Sequence, residues 1–321
     1  MPTTTPTDGL PFLSGEEIRR AVPMADMLDA VEAAYRDVVA GRDRSPQRIH
    51  VPVDAGDLLL MPGIRTGASG FSVKLVTVVA SNVERGLPTV QAVVVWFDAA
   101  SGQPVALIDG PTLTAMRTGA ASGVATRLLA RADAFVAAII GVGAQAEWQL
   151  RAVLAARPIG RVLVHARGSD ARDAFAARMT ADLGVEVRAV ATAEEAVRAA
   201  DVVCCATTSS TPVFDAAWLR DGTHVNGVGA YRLGMVELPP ELFSRAALVA
   251  VDSREAAMAE AGDLVAAVEQ GLLGADAIVE IGSVDRAWAE ERSAGAITAF
   301  KSVGLAIQDV AAAELIVSRL L

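Results

Sequence analysis

The sequence predicts an α/β protein in which a doubly wound parallel-sheet domain is set into a discontinuous α+β domain. Three observations predict it. From residue 134 onward, short apolar runs alternate with helix-patterned segments, the rhythm of parallel βα units. Before them, five strand-like runs include a hairpin signal, which favours antiparallel pairing. After them, segment 297–321 reads as a strand turning into an apolar helix, and its return to the first domain splits that domain in two.

Taken in order, segment 23–40 places Met24, Met27, Leu28, Val31, Tyr35 and Val38 at the spacing of an amphipathic helix that begins at Pro23. Segments 48–53, 58–61, 70–79, 89–97 and 104–108 are short, rich in β-branched residues and separated by Gly, Asn, Pro or Asp, as strands of one sheet are. Asp98-Ala99-Ala100-Ser101-Gly102 has the composition of a hairpin turn. Asp109-Gly110-Pro111 opens a long helix through Ala130, with Asp or Gly to cap it and Pro in its first turn. Further strands are expected at 134–140, 161–165, 185–190, 201–205, 224–228 and 247–251. These assignments put the first domain at 1–120 and 298–321 and the inserted one at 121–297.

Composition narrows the function. A chain of 321 residues is long enough for two domains at about 150 residues each. Hydrophobic residues at 52% and charged residues at 21% exclude disordered and fibrous classes. The net charge of −10 repels phosphate backbones and anionic lipid, so neither nucleic acid nor a membrane surface is expected as a partner. No uncharged apolar run approaches the roughly 18 residues that span a bilayer, and the Thr- and Pro-rich start does not read as a signal peptide. Cys204 and Cys205 are adjacent on an extended run and point to opposite faces, which disfavours a mutual disulfide and suits a cytoplasmic location. His50, His165 and His224 lack ligand spacing, so no metal site is expected.

The strand at 134–140 runs into Gly141-Val142-Gly143-Ala144-Gln145-Ala146, a GxGxxA turn followed by a helical stretch. Gly141 permits the tight turn, Gly143 lets backbone approach a pyrophosphate, and Ala146 lets helix and strand pack closely, while the helix N-terminus favours the anion. A packing turn in an unrelated sheet is the plain alternative, but strand, glycines, helix and second strand in order favour a Rossmann-type dinucleotide-binding domain. The second strand ends at His165-Ala166-Arg167-Gly168-Ser169, where an NAD-preferring site usually carries an acid. Arg167 and Ser169 suit a 2′-phosphate instead, so NADP(H) is favoured, with NAD(H) possible. A solvated arginine is the bland reading of Arg167.

Segments from both domains together resemble the ornithine cyclodeaminase and mu-crystallin family, over nearly the whole chain. They are Phe71-Ser72-Val73-Lys74-Leu75-Val76, Leu107-Ile108-Asp109-Gly110 with Thr114-Ala115-Met116-Arg117-Thr118, the 141–146 turn, Asn226-Gly227-Val228-Gly229-Ala230, Val251-Asp252-Ser253, and Phe300-Lys301-Ser302-Val303-Gly304. The resemblance implies an NAD(P)-dependent enzyme acting on an amino acid or its imine, and a homodimer built through the first domain. It implies Lys74 in the substrate cleft, Arg48 and Arg117 on the substrate carboxylate, and cofactor contacts at Thr118, Thr207, Val228, Gly229 and Ser302 beside the glycine turn.

The residue types agree with that chemistry. An α-imino carboxylate needs a guanidinium fork for orientation and an acid near its nitrogen, because the iminium accepts hydride far better than the neutral imine. Surface ion pairs are the mundane reading of Arg48 and Arg117, but a lysine inside the apolar run around Lys74 needs a reason. Asp309 is the next candidate proton donor. Cyclodeaminases carry an Asp in the loop after the 224–228 strand; this chain has Tyr231 there, and it keeps most of the Gly-Ala-Ser-Arg sequence of mu-crystallin-like ketimine reductases while departing at Leu233 and Gly234. The leading expectation is therefore an NAD(P)H-dependent reductase of small α-imino acids. An amino acid dehydrogenase or ornithine/lysine cyclodeaminase is the alternative, and a non-catalytic NADPH-binding protein the second.

Overall fold

The computed structural model describes residues 9–321. They form two compact units, one running to Arg117 and resuming at Leu305–Leu321, the other Thr118–Gly304. The first division falls inside the long helix Gly110–Leu129. Asp109 starts that helix, its Oδ1 accepting from the Thr112 amide at 2.9 Å.

The first unit holds strands β1 (Phe12–Leu13), β2 (Ile49–Val53), β3 (Gly56–Gly63), β4 (Gly70–Val78), β5 (Val90–Asp98) and β6 (Pro104–Asp109), in the sheet order β1-β6-β5-β4-β3-β2. All neighbours run antiparallel except β1, which lies parallel to β6. The hairpin between β5 and β6 turns as its sequence predicts, with Asp98 Oδ1 accepting from the Ser101 amide at 2.7 Å. Alternation gives the sheet two unlike faces. Ser72, Lys74 and Val76 of β4 are buried on one, together with Val94 and Trp96 of β5. The C-terminal helix Ala306–Leu320 covers that face. It can come close because Gly63 has no side chain: a Cβ there would lie 2.5 Å from Val310 Cγ2. Its other side packs Ile307 and Ala311 against Ala34 of the helix Met24–Val39.

The second unit holds β7 (Val136–Ile140), β8 (Arg161–His165), β9 (Glu186–Ala189), β10 (Val202–Cys205), β11 (His224–Gly227), β12 (Ala246–Val251), β13 (Ile278–Glu280) and β14 (Ile297–Lys301). They form one parallel sheet in the order β13-β12-β14-β11-β10-β7-β8-β9. The order reverses between β7 and β10, and in such sheets ligands bind beyond the carboxyl ends of the strands at that point. Two apolar clusters cover the faces, Ala137, Ile139, Val202 and Cys204 in one, Ala138, Ile140, Val203 and Cys205 in the other. The two thiols therefore point apart, buried and free.

One expectation is corrected here. The sequence reading gave 298–321 to the first domain, but β14 pairs with β11 and β12 inside the parallel sheet, so only the C-terminal helix returns. All five residues of β14 are buried, as a central parallel strand requires. The two-residue β1 and three-residue β13 are too short to show periodicity and went unread. Among the described residues, no helix is long and apolar enough to cross a membrane, and no group of His, Cys, Asp and Glu is arranged to hold a metal.

Candidate active site

In the first unit, three charges meet in a buried place. Lys74 lies mid-strand on β4, in register with Met61 on β3 and Val94 on β5, and is 1% exposed. Its Nζ is 2.7 Å from Asp309 Oδ2, and Arg117 Nε donates to the other oxygen, Oδ1, at 2.9 Å. Asp309 belongs to the first turn of the C-terminal helix, where the helix dipole favours an anion. Beside it, Gln308 Oε1 accepts from Arg117 Nη1 at 3.0 Å and from the Leu305 amide at 2.7 Å, while its Nε2 donates to the Tyr35 hydroxyl at 2.5 Å. One β-strand, the interior of one helix and the start of another thus converge on a single carboxylate.

The electrostatics leave the lysine poised. Burial pushes its pKa down from 10.5 to about 7, opposed by the charge and hydrogen bond of Asp309 and reinforced by the positive charges of Arg117 and Arg48. Arg48, half-buried just before β2, is thus electrically part of the cluster. Near neutral pH both ammonium and amine are populated, which suits a group that gives or takes a proton during turnover. Nε and Nη1 of Arg117 are both engaged, and a guanidinium edge at Nη2 is of a chemistry that suits a carboxylate.

In the second unit, the loops beyond β7, β10 and β11 come together. Gly141 has φ +96°, and a Cβ there would lie 2.8 Å from Thr207 Cγ2. A Cβ on Gly229 would lie 2.0 Å from the Thr207 carbonyl oxygen. No atom lies within 4 Å of the Cβ position of Gly143, whose backbone is therefore open to a ligand, and the helix Ala146–Ala156 starts directly after the turn. This tight turn, open glycine and helix start fit a dinucleotide pyrophosphate. Val228 adjoins the Gly229 loop, and Ser302, at the end of β14, donates from Oγ to Asp252 Oδ2 at 2.8 Å. Thr118 is buried, its carbonyl accepting from Gln149 Nε2 at 3.3 Å. Arg167 and Ser169 are exposed just beyond β8, Ser169 Oγ donating to Asp170 Oδ1 at 3.2 Å. Tyr231 lies under the Arg232 guanidinium, 5.5 Å from ring to Cζ.

The sequence reading missed four supports. Glu237, fully buried, accepts from the Thr207 amide and from the Gly229 amide, the latter at 2.9 Å, and so ties two loops together. Burial pushes its pKa up, against the pull of Lys301 and those amides. Asp252 Oδ2 also takes the Val303 and Gly304 amides at 2.9 and 2.7 Å. Gln308 and Tyr35 complete the count. A charge inside an apolar run, the signal at Lys74, marks Glu237 equally in Met235-Val236-Glu237-Leu238.

The profile of the ornithine cyclodeaminase/mu-crystallin family matches residues 11–321. A Δ1-pyrroline-2-carboxylate reductase of Bacillus cereus is 38% identical over 315 residues, covering 96% of each chain. The ketimine reductase mu-crystallin of Mus musculus is 34% identical over 311 residues, covering 95% of this chain and 96% of its own. The Δ1-pyrroline-2-carboxylate reductase of Thermococcus litoralis, solved in complex with NADH and L-proline, superposes with a TM-score of 0.91 at 36% identity over 97% of each chain.

Proposed function

The chain belongs to the ornithine cyclodeaminase/mu-crystallin family, and from that premise we propose that it is a nicotinamide-dependent reductase of small cyclic or linear α-imino acids, giving amino acids. The observation that carries this reading is the buried Lys74–Asp309–Arg117 cluster, which offers a proton donor and a guanidinium edge within one carboxylate's reach. Arg117, with Arg48 adding positive charge, binds the substrate carboxylate. Lys74 protonates the imine nitrogen or holds it as iminium. Asp309, with both oxygens on cations, orients Lys74 and Arg117 and is not itself the donor. A nicotinamide bound by the second unit would supply the hydride for the imine carbon.

Gly141, Gly143 and Ala146 hold the pyrophosphate, with Val142, Ala144 and Gln145 completing the turn. Thr118, Thr207, Val228, Gly229 and Ser302 line the rest of the cofactor site. NADP(H) is the favoured form, because Arg167 and Ser169 stand beyond β8 with no acid from His165 to Ser169. The likeness to a reductase solved with NADH and L-proline supports the reaction class, and Tyr231 in place of a cyclodeaminase Asp speaks against ring closure with loss of ammonia. The protein acts as a homodimer. Incubation with Δ1-pyrroline-2-carboxylate, Δ1-piperideine-2-carboxylate, and pyruvate with an amine, following NADPH and NADH separately, tests this reading: turnover of at least one is expected, and turnover of none overturns it.

A further inference from the structure

Arg117 is gripped on two atoms, and the second grip has a history of its own. Its Nη1 donates to Gln308 Oε1, and the same oxygen takes the Leu305 amide that opens the C-terminal helix. A side-chain amide has one acceptor atom and one donor atom, so its orientation decides what Arg117 meets. Were the Gln308 amide reversed, its NH2 group would face two donors, the Leu305 amide and Arg117 Nη1. Those two donors set the orientation, and Tyr35, 1% exposed on the helix Met24–Val39, then pairs the buried Nε2 by accepting from it at 2.5 Å. Both polar atoms of the buried Gln308 side chain are thus paired, with the Leu305 and Arg117 donors choosing the orientation and the Tyr35 hydroxyl satisfying the amide nitrogen.

From this chain of bonds, and resting on the imino-acid reading above, we propose that Gln308 and Tyr35 are positioning residues that aim Arg117 at the substrate carboxylate. Bonds at Nε and Nη1 together fix the plane of the guanidinium, whereas the Asp309 bond alone leaves it free to pivot. A fixed plane presents the Nη2 edge in one direction, and binding a carboxylate there then costs less ordering of the long arginine side chain. Neither Tyr35 nor Gln308 needs to touch substrate or cofactor.

The test uses the full chain with Tyr35→Phe, Gln308→Leu and Arg117→Met, alone and combined. Tyr35→Phe keeps the ring and removes only the hydroxyl. Kinetics with Δ1-pyrroline-2-carboxylate are compared with those for 2-methyl-1-pyrroline, which has no carboxylate, and L-proline binding is measured by calorimetry with NADH present. Tyr35→Phe should raise KM for the carboxylate substrate and weaken L-proline binding about tenfold, and Gln308→Leu at least as much. kcat, the KM for NADH, and kcat/KM for 2-methyl-1-pyrroline should stay within about twofold, and neither change should add to Arg117→Met. Equal losses on both imines, or losses that add to Arg117→Met, overturn the proposal. If the wild-type chain reduces no imino acid, the reductase reading fails by itself, and L-proline binding still decides this one: Arg117-dependent weakening supports it, and unchanged or absent binding overturns it.

Discussion

Lys74 Nζ lies 2.7 Å from Asp309 Oδ2 at a point where neither side chain reaches solvent, and the other oxygen of Asp309 holds Arg117. A carboxylate shared by two cations leaves the cluster one positive charge in excess when Lys74 is protonated, which suits an anionic ligand. Removing either cation leaves Asp309 with one partner fewer in a dry place, and such losses are costly.

Lys74→Met should slow imine reduction by about 100-fold or more while NADPH binding changes little, since the glycine turn belongs to the other compact unit. Lys74→Arg keeps the charge but not a group that releases its proton near neutral pH, so it should not restore turnover. Stopped-flow reduction and cofactor titration separate the two effects. Wild-type rates in Lys74→Met would assign the proton to water or another side chain.

The reduction rate should fall as pH rises through about 7, the value to which burial brings Lys74, because only the protonated amine can donate. Arg48 lowers that pKa, so Arg48→Ala should move the limb to higher pH as well as raise KM for the imino acid. A pH profile of kcat/KM for both chains checks the shift. A limb that stays in place in Arg48→Ala would remove Arg48 from the cluster.

Arg167→Ala should weaken NADPH more than NADH, because only the phosphate offers a charge to the guanidinium. A charge-assisted hydrogen bond contributes about 1.5 to 3 kcal/mol, so the ratio of the two affinities should shift about tenfold or more. Equal losses for both cofactors would show that Arg167 does not select between them.

The sheet face opposite Lys74 carries Ile49, Val51 and Val53 on β2, Leu58 and Leu60 on β3, and Leu75 on β4. Ile49 is 50% exposed and Val51 37%, and a contiguous apolar face of this kind suits association with a second copy. Val51→Asp should turn a dimer into a monomer in light scattering at micromolar concentration, with its far-ultraviolet circular dichroism unchanged. A monomeric wild type would contradict the dimer itself.

How much of this was legible follows from how far each signal reaches along the chain. The glycine turn and the lysine on β4 are local: period-two alternation and the motif from Gly141 to Ala146 each lie within one short window. Tyr35 and Gln308 are 273 residues apart and meet only because the last helix returns to the first unit, so no window holds both. Asp252 and Ser302 meet through sheet order, β12 lying beside β14 in space though β13 comes between them in sequence. The assignment of β14 failed for the same reason, since an apolar strand declares that it is buried and not which sheet buries it.

His224 ties the stability of the second unit to pH. Its ring is fully buried, Nδ1 lying 2.9 Å from Thr298 Oγ1 and Nε2 3.1 Å from Asn226 Oδ1. Asn226 Nδ2 donates to Thr126 Oγ1, so Asn226 Oδ1 is the acceptor and the ring proton sits on Nε2. Burial holds the imidazole neutral down to about pH 3, against 6.5 for an exposed histidine, with Arg292 and Arg157 nearby opposing protonation and the Asn226 bond favouring it. Between these values the unfolded chain binds a proton that the folded chain refuses, so stability falls as pH drops from about 6.5 toward 3. Glu237, whose pKa is raised, acts in the opposite sense over part of that window, so the contribution of His224 is read as a difference between two chains. His224→Gln should lower Tm at pH 7 by removing the buried ring and its hydrogen bonds, and should flatten the fall in Tm between pH 6.5 and 5 measured by calorimetry. Parallel Tm curves for the two chains over that interval would mean that His224 takes up its proton in the folded state after all.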